Sequence, residues 1–278
     1  MEEAKVYDYK SYLFTIAYDM VGEVQAAEDL VQDSFEKWFS MDRSDIRNPK
    51  SYLTKVVINK SIDRLESLKK QRSIYKGLWM PEPIISQEPV EEYTLEYALL
   101  FLLEKLNPIE RAIFVLRETF AKGYEEIAEF IDTSPDNCRQ ILHRAKTKIA
   151  APNKKQTVSK ERYEELLGAF LLAISKKDFN SLKTIFKEEI VMYQDGGGKM
   201  AAALKPIAGF EKIVKFLDAV MNLEPDADFQ IQPIKMNGRF GTLVFRNGAV
   251  DTVLYLDVDD TKIANLFFLR NPDKIQVY

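Results

Sequence analysis

The side chains best suited to a chemical role lie on a basic segment near the middle of the chain, residues 134–148. Ser134 can provide an N-cap oxygen and Pro135 a preset first-turn φ, so the pattern predicts a helix that begins at Pro135. Residues 137–155 contain six lysines and arginines and no aspartate or glutamate, in a chain whose net charge is −4. Such a helix face suits base edges and phosphates in a major groove. The outward residues predicted for this face are Asn137, Arg139, Gln140, His143, Arg144, Lys146 and Lys148.

A short apolar stripe precedes the basic helix. Ile127, Ala128 and Ile131 share one face of a predicted helix over 124–131, and Asp132-Thr133 interrupt the pattern. Two short helices joined by a tight turn, with the second one basic, are typical of a DNA-binding helix-turn-helix. The alternative is an αα-hairpin of a helical bundle with a solvated charged face.

Charge is also segregated in the first quarter of the chain. One predicted helix, near 23–40, has an acidic face, and the next, which Asn48-Pro49 should start, is basic. The acidic residues are Glu28, Asp29, Asp33 and Glu36, and the basic ones are Lys50, Lys55, Lys60, Arg64, Lys69, Lys70 and Arg72. Two surfaces of opposite charge predict two different partners, although the acidic face could equally be solvated.

Composition excludes several classes of protein. The chain has 278 residues, is 46% hydrophobic and has a single cysteine, which excludes an internal disulfide and a CxxC metal knuckle. No apolar run approaches the ~18 residues of a membrane helix, and the first residues do not resemble a secretory signal. These features predict a cytoplasmic globular protein. No cofactor, metal site or catalytic residue is predicted.

Periodicity divides the chain into domains. Residues 1–72 and 92–152 predict all-helical domains, and the proline-rich residues 73–91 predict a linker. Because Trp79 and its neighbours are too apolar for water, the linker should dock onto a domain. Residues 159–278 predict an α+β domain with helices packed on a curved antiparallel sheet, since Asn237-Gly238 and Asn247-Gly248 separate alternating runs.

Taken in order, these segments resemble the extracytoplasmic-function (ECF) sigma factors of bacterial RNA polymerase. Residues 26–35 (AAEDLVQDSF) resemble region 2.2, residues 51–63 resemble regions 2.3 and 2.4, and residues 106–148 resemble domain four. The last part resembles a SnoaL-like domain with the cone-shaped nuclear-transport-factor fold, which one subgroup of these sigma factors carries. The marks of that subgroup occur here as WMPEP (79–83), DGGGK (195–199) and NPDKI (271–275). Met80 and Ile275 replace the usual leucines with apolar side chains of similar size.

The resemblance implies two partners, core RNA polymerase (its β′ clamp helices and β flap) and promoter DNA. The residues implied for the polymerase are Glu28, Asp29, Gln32 and Asp33. Those implied for the −10 element are Arg43, Arg47, Tyr52, Lys55, Asn59 and Lys60, although Tyr52 could equally be a core residue. The basic helix face at 137–148 would meet the −35 element.

The resemblance also implies a regulatory third domain that docks the linker and holds domains two and four in a chosen arrangement. The implied linker latch consists of Trp79, Pro81, Glu82, Pro83, Asp195, Gly196, Gly197, Gly198, Lys199, Asn271, Pro272, Asp273 and Lys274. The alternative is that each motif stabilises its own domain. The triple glycine beside Asp195 suggests a backbone turn presented to a partner.

Two other classes of function remain open. SnoaL-like relatives include cyclases and isomerases, so the third domain could be an enzyme that binds a small hydrophobic molecule. Since the only histidine, His143, lies outside that domain, its acid or base would have to be an aspartate or glutamate with a shifted pKa, such as Asp195, Asp251 or Asp257. A DNA-binding repressor or activator that needs no polymerase is the other class, and the acidic 28–36 helix argues against it.

Overall fold

The computed structural model describes residues 6–86, 95–149, 158–223, 227–259 and 261–275, except for the side chains of Lys70 and Ser86. The chain divides into two compact units. The helical unit comprises residues 1–74, 81–84 and 88–151, and the sheet unit comprises residues 75–80, 85–87 and 152–278. The predicted domain limits at residues 91, 92 and 152 lie outside the described residues.

The first part of the helical unit contains helices α1 (Lys10–Val21), α2 (Val24–Ser40) and α3 (Pro49–Ser73). Helix α1 ends at Gly22, whose left-handed φ of 72° lets its N–H bond the Tyr18 carbonyl. The predicted start of α3 is confirmed, because the Asn48 side chain accepts a hydrogen bond from Ser51 N (3.1 Å) ahead of Pro49.

The second part of the helical unit contains α4 (Tyr97–Leu102), a 3₁₀ turn (Leu103–Lys105), α5 (Pro108–Phe114), a π-helical turn (Val115–Thr119), α6 (Tyr124–Phe130) and α7 (Pro135–Ile149). The predicted N-cap of α7 is confirmed, since Ser134 Oγ accepts a hydrogen bond from Asn137 N at 3.2 Å. Buried apolar residues of both parts, such as Leu13, Leu53 and Ile113, belong to one hydrophobic cluster. Both parts of the helical unit therefore share a core.

The sheet unit joins strand β1 (Ile85–Ser86) to the C-terminal α+β domain. That domain contains α8 (Lys160–Ser175), a 3₁₀ turn (Phe179–Ser181), α9 (Leu182–Ile185), β2 (Phe186–Asp195), β3 (Ile207–Ala208), α10 (Phe210–Leu223), β4 (Phe229–Met236), β5 (Arg239–Arg246), β6 (Ala249–Asp259) and β7 (Lys262–Leu269). The strand order is β1-β4-β5-β6-β7-β2-β3. Leu166 of α8, Ile213 of α10 and Leu254 of β6 share a core, so helices cover one face of the sheet.

The prediction of an antiparallel sheet is wrong at one pairing. Strands β2 and β7 run parallel, with Tyr193 opposite Phe267 and Asp195 opposite Leu269. The chain passes through β3, α10 and β4–β6 before β7 returns beside β2, and parallel neighbours require such a long connection. Alternation and Asn-Gly turns identify strands and hairpins, whereas the pairing of distant strands leaves no local pattern in the sequence.

The linker is divided between the units. Helix α3 continues to Ser73, residues 75–80 belong to the sheet unit, and residues 81–84 belong to the helical unit. Residues 85–86 then form the edge strand β1, with Ile85 opposite Met236 of β4. Residues 87–91 of the predicted linker lie outside the described residues. The prediction that the apolar linker docks is confirmed, since Met80 is buried, and neighbouring segments of the linker belong to different units.

Candidate functional site

Helix α7 presents the predicted DNA-reading residues on one exposed face. Cys138, Leu142 and Ala145 are buried and Ile141 is half-buried, which leaves the polar side of the helix in solvent. The exposed residues are Asn137, Arg139, Gln140, His143, Arg144, Lys146 and Lys148.

Carboxylates of the same unit pair with several cations of this face. Lys146 lies 2.8 Å from Glu118, Lys148 lies 2.9 Å from Glu110, and Arg139 lies 2.5 Å from Asp136. Because the lysine and arginine side chains are about half exposed, each ion pair has a small energy and the cation can exchange its carboxylate for a phosphate.

The predicted polymerase-binding face lies on α2. Glu28, Asp29, Gln32 and Asp33 are exposed, and the opposite side of the helix is buried. Asp33 also accepts a hydrogen bond from Lys60 of α3 at 2.8 Å. Lys60, which is predicted to contact the −10 element, is therefore bonded to Asp33, which is predicted to bind the polymerase.

The residues predicted for the −10 element lie at the start of α3 and in the loop before it. Tyr52 is half-buried, with its ring centroid 5.7 Å from that of Trp38 and its hydroxyl 3.0 Å from Met41 Sδ. The Arg43 guanidinium carbon lies 5.8 Å from the Trp38 ring centroid. Arg47 and Lys55 are exposed, and Asn59 and Lys60 are half-buried. Tyr52 therefore packs in the structure, and its role at a base stays a prediction.

In the sheet unit, an ion pair organises the first half of the linker. Lys274 Nζ lies 2.8 Å from Asp195 Oδ2 and 2.6 Å from the Met80 carbonyl. Asp195 also accepts hydrogen bonds from the Tyr75 hydroxyl (2.5 Å) and Met80 N (3.0 Å). The Lys274 ammonium lies 4.2 Å from the Trp79 ring centroid and 4.9 Å from that of Tyr75. Burial and the hydrogen bond to Asp195 raise the pKa of Tyr75, so its hydroxyl remains a donor.

The glycine motif lets the backbone approach this ion pair. A Cβ on Gly197, whose φ is 63°, would lie 2.5 Å from the Asn271 side chain, and a Cβ on Gly196 would lie 2.2 Å from the Met200 carbonyl oxygen. Asn271 in turn donates to the Tyr75 hydroxyl at 2.9 Å. The Asp195 side chain is 1% exposed and is bonded to Tyr75 and Met80 of the linker, whereas Gly198 of the same turn is exposed.

Other latch residues lie at the edge of this site. Lys199 and Asp273 form an exposed ion pair at 2.6 Å, and Pro272 and Gly198 are exposed. The sequence did not predict the roles of Tyr75 and of the Met80 backbone in this site. Tyr75 lies outside every motif, and hydrogen bonds of backbone groups leave no pattern of residue types in the sequence.

In the helical unit, Pro81–Ile84 form the second half of the linker. The Glu82 carboxylate accepts a hydrogen bond from Val24 N at 2.8 Å, which caps the first turn of α2. The Glu82 carbonyl accepts from the Tyr18 hydroxyl (2.6 Å), and the Pro81 carbonyl accepts from the Tyr97 hydroxyl (2.8 Å). Tyr18 belongs to α1 and Tyr97 to α4, so this segment is bonded to both parts of the helical unit.

Buried charges also join the two parts of the helical unit. Glu104 pairs with Arg111 and Arg72, and Arg111 Nε donates to the Asp19 carbonyl at 3.0 Å. Arg111 is 1% exposed and Asp19 is fully buried. Burial raises the pKa of Asp19 well above its ordinary value, against the lowering effects of the Leu95 N–H and Arg111.

The aspartates considered for catalysis are engaged with other groups. Burial raises the pKa of Asp251, but hydrogen bonds from Arg270 and Thr252 outweigh it and leave that pKa lowered. Asp257 accepts a hydrogen bond from Asn265 at 2.7 Å, and Asp195 forms the ion pair with Lys274. Among the described residues, no group of histidine, cysteine, aspartate and glutamate could hold a metal ion. No described helix is long and apolar enough to cross a membrane.

Known proteins match both units. A family model of sigma-70 region 2 matches residues 6–71, and a model of sigma-70 region 4 matches residues 97–149. The ECF RNA polymerase sigma factor SigJ of Mycobacterium tuberculosis is 29% identical over 291 residues, which cover 99% of this chain and 93% of that protein. The crystal structure of M. tuberculosis SigJ matches with a TM-score of 0.78 and 25% identity, over 98% of this chain and 97% of that chain. A putative isomerase of the SnoaL-like family from Agrobacterium tumefaciens matches with a TM-score of 0.29 and 14% identity, over 39% of this chain and 97% of that chain.

The chain is a sigma-70-type transcription initiation factor, which binds core RNA polymerase and promoter DNA. Within that class it belongs to the ECF sigma factors, with a fused C-terminal α+β domain. The predicted family and fold class are confirmed.

Proposed function

We propose that the fused domain regulates this sigma factor by holding the linker, and that the linker holds regions 2 and 4 in a closed arrangement. The observation that carries the proposal is the division of residues 75–84. Residues 75–80 surround the Asp195–Lys274 ion pair, whereas residues 81–84 bond α1, α2 and α4. The segment is continuous, so a change in how the sheet unit binds its first half alters the restraint on its second half.

The helical unit is smaller than the distance between the two promoter elements, which supports the assignment of the compact arrangement as closed. The −10 and −35 elements are about 25 base pairs apart, which is about 85 Å along B-DNA. A compact body of about 140 residues, such as the helical unit, has a radius of gyration of about 15 Å and a diameter of about 40 Å. Regions 2 and 4 cannot reach both elements while they share one core, so they must separate on the promoter.

In the open form, each surface would have its own partner. The α2 face with Glu28, Asp29, Gln32 and Asp33 would bind the β′ clamp helices, where charge complementarity sets orientation and association rate. The start of α3 and the preceding loop, with Arg43, Arg47, Tyr52, Lys55, Asn59 and Lys60, would meet the −10 element. The face of α7 would meet the −35 element, with Lys146 and Lys148 on phosphates. Region 4 would also dock on the β flap.

The fused domain would act without catalysis. Asp195 and Asp251 are each paired with cations, and the lowered pKa of Asp251 is unsuited to an acid or base catalyst, which needs a pKa near the working pH. The charged pair at Asp195 supports a structural role for the domain, which would act in the cytoplasm together with RNA polymerase.

Transcription by the full chain with core polymerase tests the proposal. Lys274→Met leaves the Asp195 carboxylate buried and uncompensated, which costs about 3–5 kcal/mol locally and should release the linker. We expect promoter output at limiting sigma factor to rise several-fold. Lys183→Met is the matched control, because its ion pair with Glu211 is exposed and lies outside the latch, and its output should equal that of the wild type.

A second, milder variant keeps the proposal testable if Lys274→Met does not fold. Tyr75→Phe removes only the hydroxyl that bonds Asp195 and should raise output to a smaller extent. If the variants at positions 274 and 75 both transcribe at or below the wild-type level while their circular dichroism is native, the closed-state proposal is wrong.

A further inference from the structure

The ring of Tyr124, the first residue of α6, lies beside two arginine side chains. The guanidinium carbon of Arg139 lies 4.9 Å from the ring centroid, and that of Arg117 lies 4.6 Å from it. These distances are in the range of cation–π contacts. Tyr124 is half-buried, so its ring is part of the surface that surrounds α7.

Arg139 is also held by carboxylates. Its Nη1 donates to Asp136 Oδ1 at 2.5 Å, and its Nη2 lies 3.6 Å from Glu125 Oε1. Since these groups are exposed, each contact is individually weak. Together they restrict a long side chain that would otherwise sample many rotamers, and a restricted side chain loses less entropy when it binds.

The second arginine beside the ring is bonded to the segment before α6. Arg117 lies in the π-helical turn, and its Nη1 donates to the Lys122 carbonyl at 2.7 Å. Lys122 N donates to the Leu116 carbonyl at 2.9 Å, so the loop between the π-helical turn and α6 is closed by hydrogen bonds at both ends. Hydrogen bonds therefore hold Arg117 on the Tyr124 ring, which Arg139 also contacts.

We propose that Tyr124 is a positioning residue for −35 recognition, which fixes Arg139 in the orientation that reads a guanine. An arginine reads guanine by donating hydrogen bonds to O6 and N7, and this bidentate geometry needs a fixed guanidinium plane. A ring packed against the face of the guanidinium group leaves its N–H donors available for the base. Asp136 can keep accepting one hydrogen bond from Arg139 and so help to hold the side chain. The inference rests on the proposed role of α7 at the −35 element.

Holoenzyme assembled from the full chain tests this role on promoters that carry every single-base change in the −35 element. Arg139→Ala first identifies the base position at which discrimination is lost. Tyr124→Leu should then reduce discrimination at that same position by about two- to fivefold, the effect of an exposed cation–π contact. Tyr124→Phe keeps the ring and should behave as the wild type. In the Arg139→Ala background, Tyr124→Leu should have no further effect.

The outcomes distinguish a failure of the proposed role of α7 at the −35 element from a failure of the role of Tyr124. If Arg139→Ala lowers transcription without changing discrimination at any −35 position, both the groove assignment and the role of Tyr124 are wrong. If Arg139→Ala loses discrimination but Tyr124→Leu keeps it, or weakens all promoters uniformly, only the role of Tyr124 is wrong. A uniform loss is what a merely structural ring would produce.

Discussion

At the scale of single residues, the charges buried in the helical unit matter most. Asp19 and Arg111 lie in the core that regions 2 and 4 share, where isolated charges are unfavourable. Among the described residues, Asp19 Oδ2 and Arg111 Nη2 have no hydrogen-bond partner. An interface with unsatisfied buried polar atoms is specific in geometry but limited in stability. Such an interface suits the proposed separation of the two regions on a promoter.

The raised pKa of Asp19 predicts a particular pH dependence of stability. The folded protein retains this proton to higher pH than the unfolded chain, whose aspartate titrates near the ordinary value of 3.8. The stabilisation is complete below that value and is lost as the pH rises through the raised pKa. We expect the thermal midpoint of the wild type to fall, relative to that of Asp19→Asn, as pH increases above about 4.

Midpoints measured across a pH series would check this prediction, with Asp29→Asn as the control at an exposed position of α2. The control should follow the wild type. Identical pH profiles for Asp19→Asn and the wild type would contradict the assigned cause.

At the scale of secondary structure, the start of α2 depends on a residue far away in the sequence. Glu23 lies at the N-cap position and makes no side-chain capping bond, and the Glu82 carboxylate takes the Val24 N–H instead. A carboxylate at this end also interacts favourably with the helix dipole. The helix that carries the predicted polymerase surface is therefore stabilised by the linker.

Loss of this cap should loosen the first turn of α2. Glu82→Ala removes a contact of about 1 kcal/mol, which corresponds to roughly fivefold faster amide exchange at the first turn. Hydrogen exchange of residues 24–28 would measure the effect, and Glu28→Ala, exposed on the same helix, is the control. Equal exchange in Glu82→Ala and the wild type would show that another group caps the helix.

At the scale of the whole molecule, regions 2 and 4 form one core in the helical unit, whereas the proposed promoter-bound form has them apart. Spectroscopic labels at Glu36→Cys in α2 and Glu129→Cys in α6 would report their separation, since both positions are exposed and Cys138 is buried. Within a unit of about 40 Å the labels must be close in the free protein. Core polymerase and promoter DNA should increase their distance by tens of ångströms. An unchanged distance in the initiation complex would refute the closed-state assignment.

The sequence by itself determined the helices, their caps and the exposed face of α7. These features follow from contacts within one or two turns, such as Ser134 with Asn137 and Asn48 with Ser51, so local residue types suffice. The hairpins at Asn237 and Asn247 were predictable for the same reason, because their positive φ values favour asparagine and glycine. The resemblance of ordered motifs gave the family, and the latch motifs gave Asp195 and Lys274 as candidates.

Only the tertiary structure decided how these pieces combine. The parallel pairing of β2 with β7, the cap that Glu82 provides for Val24 and the hydrogen bond of Tyr75 to Asp195 each join residues distant in sequence. The division of the linker at Met80–Pro81 likewise depends on which core offers partners for each backbone group. Such pairings depend on three-dimensional proximity and on the burial of both partners, and neither property has a local signature in the sequence.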